Sequence, residues 1–472
     1  MRSTENKFDL VLLNGTVVTM NSEFEVLTQA AVAIKDERIA LVCQVKDLPE
    51  GWTARQTIDA TDAVIIPGLI NAHTHVPHSL LRGVGDGLPL ERWLSEAIFP
   101  IEKACVDEDF VKVGARLSII EMLLGGTTTF ADMFFYEGAI AHEAETLGIR
   151  AVLGETVMDF PTPDAPDGVK QGLANAEKFI DEWKGHDRIT PAVAPHAPYT
   201  CSPETIRAAR DLALKTDSPV LIHLSETKGE VDQILKQYGA TPIHYVAREG
   251  LFDAKVLAAH VVHPQSGELS LMLEKNAGIA HCPRSNMHLA SGAAPIRRMM
   301  DKNMRLALGT DGAASCPTTN LFEEMATAAR LAKLHHERAD VVSAREVFAM
   351  ATIGGARALS KEDELGSIEV GKLADIVIVD TGSGTLEHLP IYDIYAHLVY
   401  STAEARDTII GGMLVVRDKR VLTIDWQRLR KQVREQWQFV AVPLPIFRLV
   451  CAADDDSTLL FLEFSWLFLL LY

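Results

Sequence analysis

The sequence predicts an α/β fold: a (β/α)8 TIM-type barrel with a small β-sandwich domain built from both termini. Through the middle of the chain, short apolar β-runs alternate with helical patterns, the mark of a parallel sheet wound with helices. Eight such runs lie between Val64 and Ser315, and eight strands over about 250 residues fit one barrel. β-rich blocks punctuated by turns flank this region at both ends.

The opening block alternates Val, Ile and Thr in DLVLLNGTVVTMN from Asp9, AAVAIKDERIALV from Ala30 and TIDATDAVIIPG from Thr57, with Asn14-Gly15 and Asp36-Glu37 read as hairpin turns. The eight central runs begin at Val64, Gly126, Gly148, Ile189, Pro219, Val256, Ala277 and Arg305. Between them, stretches such as EDFVKVGARLSIIEMLLGG and PETIRAARDLALKT repeat apolar residues at three- and four-residue spacing, as helices covering a sheet must. β-signals return in KLADIVIVD (Lys372 to Asp380) and in DTIIGGMLVVRDKRVLTID (Asp407 to Asp425), turning at Gly411-Gly412. The expected division is a composite β-sandwich from 1–66 and 366–435, a barrel over 67–365, and an atypical apolar tail over 436–472. The tail's last run, from Leu459, is interrupted by Glu463 and Ser465. It is shorter than the roughly 20 residues a membrane-spanning helix needs, so it is left out of the functional reading.

Composition narrows the function. Across 472 residues, 45 Lys and Arg face 64 Asp and Glu, a net charge of -19. Such a surface repels phosphate backbones and anionic lipid, so neither nucleic acid nor membrane is an expected partner. The six cysteines form no CxxC pair, and charged residues interrupt the first segment where an export signal needs an apolar core. Reduced thiols and a cytoplasmic location are expected, in a homo-oligomer acting on a small molecule.

Most central runs end in a polar group, and in a barrel the C-terminal strand ends converge on one mouth. His73 and His75, at i and i+2, fall on one face of a strand. Another run ends in His223-Leu224-Ser225-Glu226, the next in His260, and the last in Asp311. His73, His75, His223 and Asp311 make an N3O set suited to Zn2+, with Fe2+ as second choice. The fourth run holds His196 and no lysine to bridge a second ion, so one divalent metal is expected. An open position on such an ion lowers the pKa of bound water to roughly 7. Glu226 would move protons, and His260 would sit beside that water.

With these residues, PGLINAHTHVPHSLLRG, HLSET, AAHVVH, HCPRSNMHLASGAAP and LGTDGAAS resemble the amidohydrolase superfamily. More narrowly, they resemble its 5'-methylthioadenosine/S-adenosylhomocysteine deaminase-like family, from about Asp9 to about Asp425. The resemblance implies hydrolytic deamination of an adenine nucleoside: hydroxide adds at C6, Glu226 protonates N1, Asp311 takes the proton of the attacking water, His260 orients it, and ammonia leaves. It also implies that Trp93 packs the 5' side, that Glu102 accepts both ribose hydroxyls as a bidentate carboxylate, and that His196 contacts purine or ribose. One departure stands out. The family's arginines for an amino-acid carboxylate have no counterpart in LGETVMDFPTPDAPDGVKQG, where Glu155 and Lys170 stand instead. A glutamate facing that carboxylate would repel it, which shifts the expectation towards 5'-methylthioadenosine, adenosine or 5'-deoxyadenosine. The alternatives are another mononuclear member, such as a guanine deaminase or a triazine-type chlorohydrolase, and, more remotely, a non-catalytic scaffold.

Overall fold

The computed structural model describes residues 6–380, 391–401 and 404–441; the tail expected over 436–472 lies outside the described residues from 442 onward. Eight parallel strands form the barrel wall, each bonded to the next in chain order. They are Leu69–Thr74, Thr127–Phe134, Arg150–Val157, Ile189–Pro195, Val220–Leu224, Val256–His260, Gly278–His281 and Arg305–Leu308. Both faces of these strands are buried, which is why they read as near-continuous apolar runs rather than clean alternations. Small side chains fill the interior, among them Ala72, Ala131, Ala192, Ala194 and Ala280.

The helices form where amphipathic spacing coincides with end signals. Pro203–Thr216 starts with Ser202 accepting from the Thr205 amide, buries Ile206, Ala209, Leu212 and Ala213, and stops where Asp217 turns left-handed at φ 55°. The first barrel strand is bonded to the segment just past the last one through side chains and backbone. Asn71 Nδ2 donates to Thr310 Oγ1 (2.8 Å), the Thr310 amide to Asn71 Oδ1 (3.0 Å), and the Asp311 amide to the His73 carbonyl (2.9 Å). The seam thereby sets His73 beside Asp311.

The two terminal blocks join into one nine-stranded sheet, and the expected sandwich arises because that sheet forks. The pivot is the strand Lys7–Val18, paired on one edge with Val26–Lys35 and on the other with Thr53–Asp59 and then Ala63–Pro67. Ala63–Pro67 pairs antiparallel with Ile376–Asp380, tying the chain's two ends together. Leu12, Ile34, Ile65, Ile376 and Ile409, drawn from both arms, share one fully buried core. Arg150, at the start of the third barrel strand, docks the barrel on this sheet through a buried pair with Asp375 (2.8 Å). Removing one partner of such a pair costs about 3–5 kcal/mol.

The sheet corrects one turn. Asp36-Glu37 and Gly411-Gly412 do connect paired strands, but Asn14-Gly15 lies inside Lys7–Val18 as a bulge, between pairs Leu12–Val32 and Gly15–Ala30. A Cβ on Gly15 would meet Ile65 at 2.8 Å, so the glycine serves close packing at a bulge rather than a hairpin. Among the described residues no helix is long and apolar enough to cross a membrane, and the described cysteines are free thiols.

Candidate active site

The barrel's C-terminal rim brings the expected groups together. His73 lies inside the first strand, with His75 just beyond it; His223 and His260 come from the fifth and sixth strands, and Asp311 follows the eighth. His75 Nε2 is 3.1 Å from His223 Nε2 and 3.3 Å from Asp311 Oδ1; His73 Nε2 is 3.5 Å from Asp311 Oδ1. Ligand atoms of His73, His75 and His223 all lie within 4.8 Å of one another, as do those of His73, His260 and Asp311. The backbone is left-handed at Ser225 (φ 51°), His260 (73°), Val261 (46°) and Asp311 (63°), an unfavourable conformation for non-glycine residues. These bends turn the chain at the strand ends and aim the side chains inward.

Three of the four imidazoles are fixed through the other nitrogen. His75 Nδ1 donates to the Met133 carbonyl (2.7 Å), His223 Nδ1 to the His196 carbonyl (2.9 Å) and His260 Nδ1 to Asn286 Oδ1 (3.0 Å). With both Nδ1 atoms committed as donors, the Nε2 lone pairs of His75 and His223 face each other at 3.1 Å. That approach requires a cation or a shared proton between them. His73 Nε2 is buried beside them without a hydrogen-bond partner. The donor set and its anchoring thus fit a divalent metal held by neutral imidazoles with outer-shell support.

The electrostatics agree. Burial lowers His73 to about 4 and, with neighbouring imidazoles, holds His223 well below its ordinary value, so both are neutral. Burial would lower His75 too, but Asp311 carries it up to about 9. Burial pushes Asp311 up, yet His73 and His75 hold it well below the ordinary aspartate range. The point where these atoms meet therefore favours positive charge. Asp311 also accepts from Ser285 Oγ (2.6 Å) and the Gly312 amide (2.7 Å). Glu226 is raised by burial, lies 3.7 Å from His260 Nε2, and accepts from Ser291 Oγ at 3.1 Å. A buried carboxyl so raised is suited to donate a proton.

A cavity opens above the rim. Trp93, Glu102 and His196 all line it. Trp93 Nε1 donates to the Val84 carbonyl (2.9 Å), and His196 Nδ1 lies 3.0 Å from Thr200 Oγ1 with burial lowering it to about 3. The structure revises two expectations about the substrate side. Glu102 does not present both oxygens freely, because His78 Nε2 donates to its Oε1 at 2.9 Å. Glu155 is not in the cavity: it points behind the barrel wall and accepts from the Glu137 amide (3.0 Å), whereas the next residue, Thr156, lines the cavity. Alternation along the strand decides this, since neighbouring residues face opposite sides. No Arg or Lys lines the cavity among the described residues; Met133, Met158, Phe99 and Phe134 do. Sequence reasoning missed His78, Ser285, Asn286 and Ser291. Only His78 left a signal, three residues after His75 in a turn opened by Pro77.

The amidohydrolase family model matches residues 64–415. A 5-methylthioadenosine/S-adenosylhomocysteine deaminase from Syntrophobacter fumaroxidans is 41% identical over 431 residues, covering 91% of this chain and 98% of the relative. Its counterpart from Thermodesulfovibrio yellowstonii is 40% identical, over 88% of this chain and 94% of the relative. The crystal structure of an adenosine deaminase from Xanthomonas campestris with bound zinc is 36% identical and superimposes with a TM-score of 0.89, over 93% of this chain and 99% of that one.

Proposed function

The chain belongs to the amidohydrolase family, and we propose that it is a metal-dependent hydrolytic deaminase of adenine nucleosides. The substrates best suited to its cavity are 5'-methylthioadenosine, adenosine and 5'-deoxyadenosine, with S-adenosylhomocysteine behind them. The observation that carries the reading is the meeting of His73, His75, His223 and Asp311 with Glu226 and His260 beneath one cavity. The names of the relatives support adenine nucleosides as the class. The lining carries no Arg or Lys among the described residues, which supports a small 5' group over an amino-acid carboxylate. The acidic composition and free thiols support a cytoplasmic setting.

His73, His75, His223 and Asp311 would hold one divalent cation, Zn2+ before Fe2+. When bound, such an ion supplies Lewis acidity and brings the pKa of water down to roughly 7. The chain's own groups move the protons. Asp311 takes the first proton of the attacking water as its oxygen bonds to C6, and Glu226 gives its proton to N1. His260, tied back by Asn286, directs Nε2 between Glu226 Oε2 and Asp311 Oδ2, at 3.7 and 4.0 Å. As the C6–N bond breaks, Asp311 returns its proton to the leaving nitrogen and Glu226 recovers one from the new hydroxyl. Ammonia leaves and a 6-oxopurine nucleoside remains. Trp93 packs the sugar's 5' side, Glu102 accepts from the ribose, and His196 contacts purine or ribose.

The test is an ammonia-release screen over adenosine, 5'-methylthioadenosine, S-adenosylhomocysteine, guanine and cytosine. The expected order puts the first two ahead of S-adenosylhomocysteine, and turnover of guanine or cytosine above all nucleosides would overturn the reading.

A further inference from the structure

We propose that His78 is a specificity-determining residue that works through Glu102, so that a histidine–glutamate pair reads the sugar. The inference rests on the nucleoside reading above and deepens it. His78 sits in the short turn Val76–Leu81 that follows the first barrel strand, while Glu102 lies in the helix Phe99–Cys105. The two side chains are buried, 5% and 7% exposed, and both line the cavity.

The carboxylate can only accept, so Nε2 carries the proton and donates to Oε1 at 2.9 Å. No other bond engages the Glu102 side chain among the described residues, so Oε2 is left for a ligand. The ring cannot easily turn away. It packs edge-on against Phe134, with centroids 5.2 Å apart, and against Trp93 at 6.5 Å. On its far side, a Cβ on Gly312 would fall 2.6 Å from Nδ1, so the residue after Asp311 must be this small for His78 to fit. Nδ1 is buried without a partner, so the ring is held by shape and by Glu102 alone. A buried carboxylate without a donor is costly and free to adopt other rotamers; one charge-assisted bond fixes it in the orientation that meets a hydroxyl. That pre-organisation lowers the cost of binding a nucleoside and does nothing for a ligand lacking the diol.

The readout is the ratio of kcat/KM for adenosine to that for 2',3'-dideoxyadenosine, alongside metal content. His78→Met removes the donor and keeps the bulk; it should lower the ratio about tenfold, the worth of a hydrogen bond to a charged group, mainly through KM for adenosine. His78→Gln, whose amide can still donate, should recover part of the ratio. Adding His78→Met to Glu102→Ala should lower the ratio no further than Glu102→Ala alone. An unchanged ratio in His78→Met, with Glu102→Ala still lowering it, would overturn the role of His78. So would equal losses on both substrates with reduced metal, which would make His78 a support for His75 instead. If Glu102→Ala itself leaves the ratio unchanged, the fault lies in the reading of Glu102 as the ribose acceptor.

Discussion

The histidine rim and the wall above it, residues 76–105, are built in different ways. In the rim, His75 is bonded to the Met133 carbonyl of the second barrel strand and His223 to the carbonyl of His196, the residue just past the fourth, so the strand ladder and its immediate ends set their positions. The wall is assembled from short pieces: a 3-10 turn, left-handed glycines at Gly83, Gly85 and Gly87, a π-helical turn at Trp93–Ile98 and the two-turn helix Phe99–Cys105. A ladder holds groups in place whether or not a ligand is bound, whereas loop segments can be reshaped without unfolding the barrel. Under the proposed function, chemistry would belong to the first region and selectivity to the second. Changes in the rim should abolish turnover, and changes in the wall should re-rank substrates.

The largest effect is expected from His73→Ala. Its Nε2 has no hydrogen-bond partner among the described residues and points at Asp311, another of the metal-holding groups, so the loss should fall on the metal. Metal content should drop from about one equivalent to little or none, with turnover down about 10³-fold or more, since such an ion supplies several kcal/mol. Wild-type metal content in this variant would break the assignment of the rim.

Next comes Glu226→Gln, which should keep the metal and lose roughly 10²–10⁴-fold in kcat, the usual worth of a positioned proton donor. Burial raises this carboxyl, and donation to N1 needs the protonated form. Turnover should therefore fall as pH climbs through its raised pKa, and that limb should vanish in the glutamine variant. A pH–rate profile whose basic limb survives the substitution would remove Glu226 from the role.

The same division explains what the sequence made legible. His73 and His75 share a strand face because the period is two, and Glu226, His260 and Asp311 stand out as polar ends to apolar runs. Those patterns are local, so they survive in one dimension. The pairing of His78 with Glu102 depends on how a turn and a helix some twenty residues further along approach each other, which no periodicity records. Glu155 faces away from the cavity for a local reason: Gly154 faces the barrel interior, where a Cβ would touch Ala194 and Leu221, so its neighbour must face outward. The forked sheet was legible as two β-blocks, but the bulge at Gly15 depends on Ile65, fifty residues away in the chain.

In the wall, Glu102→Ala should cost nucleosides about tenfold more in kcat/KM than free adenine analogues, the scale of one charged hydrogen bond. Equal losses for both would make the wall a structural lid and erase the contrast with the rim.

The smallest effect concerns the 5' end. Phe160, 38% exposed, lies three residues beyond the third barrel strand with its ring 5.6 Å from that of Phe99, which lines the cavity. Phe160→Arg would put a cation beside a cavity whose lining holds none among the described residues. An exposed ion pair is worth about 0.2–1 kcal/mol, so the preference for S-adenosylhomocysteine over 5'-methylthioadenosine should rise only about 1.4- to fivefold, and less at high salt. Phe160→Glu should move the ratio the other way, because a like charge repels the same carboxylate. Measuring both variants separates charge from the loss of the aromatic contact, which they share. A ratio that shifts identically in the two would mean that the amino-acid end of the substrate leaves the cavity by another route.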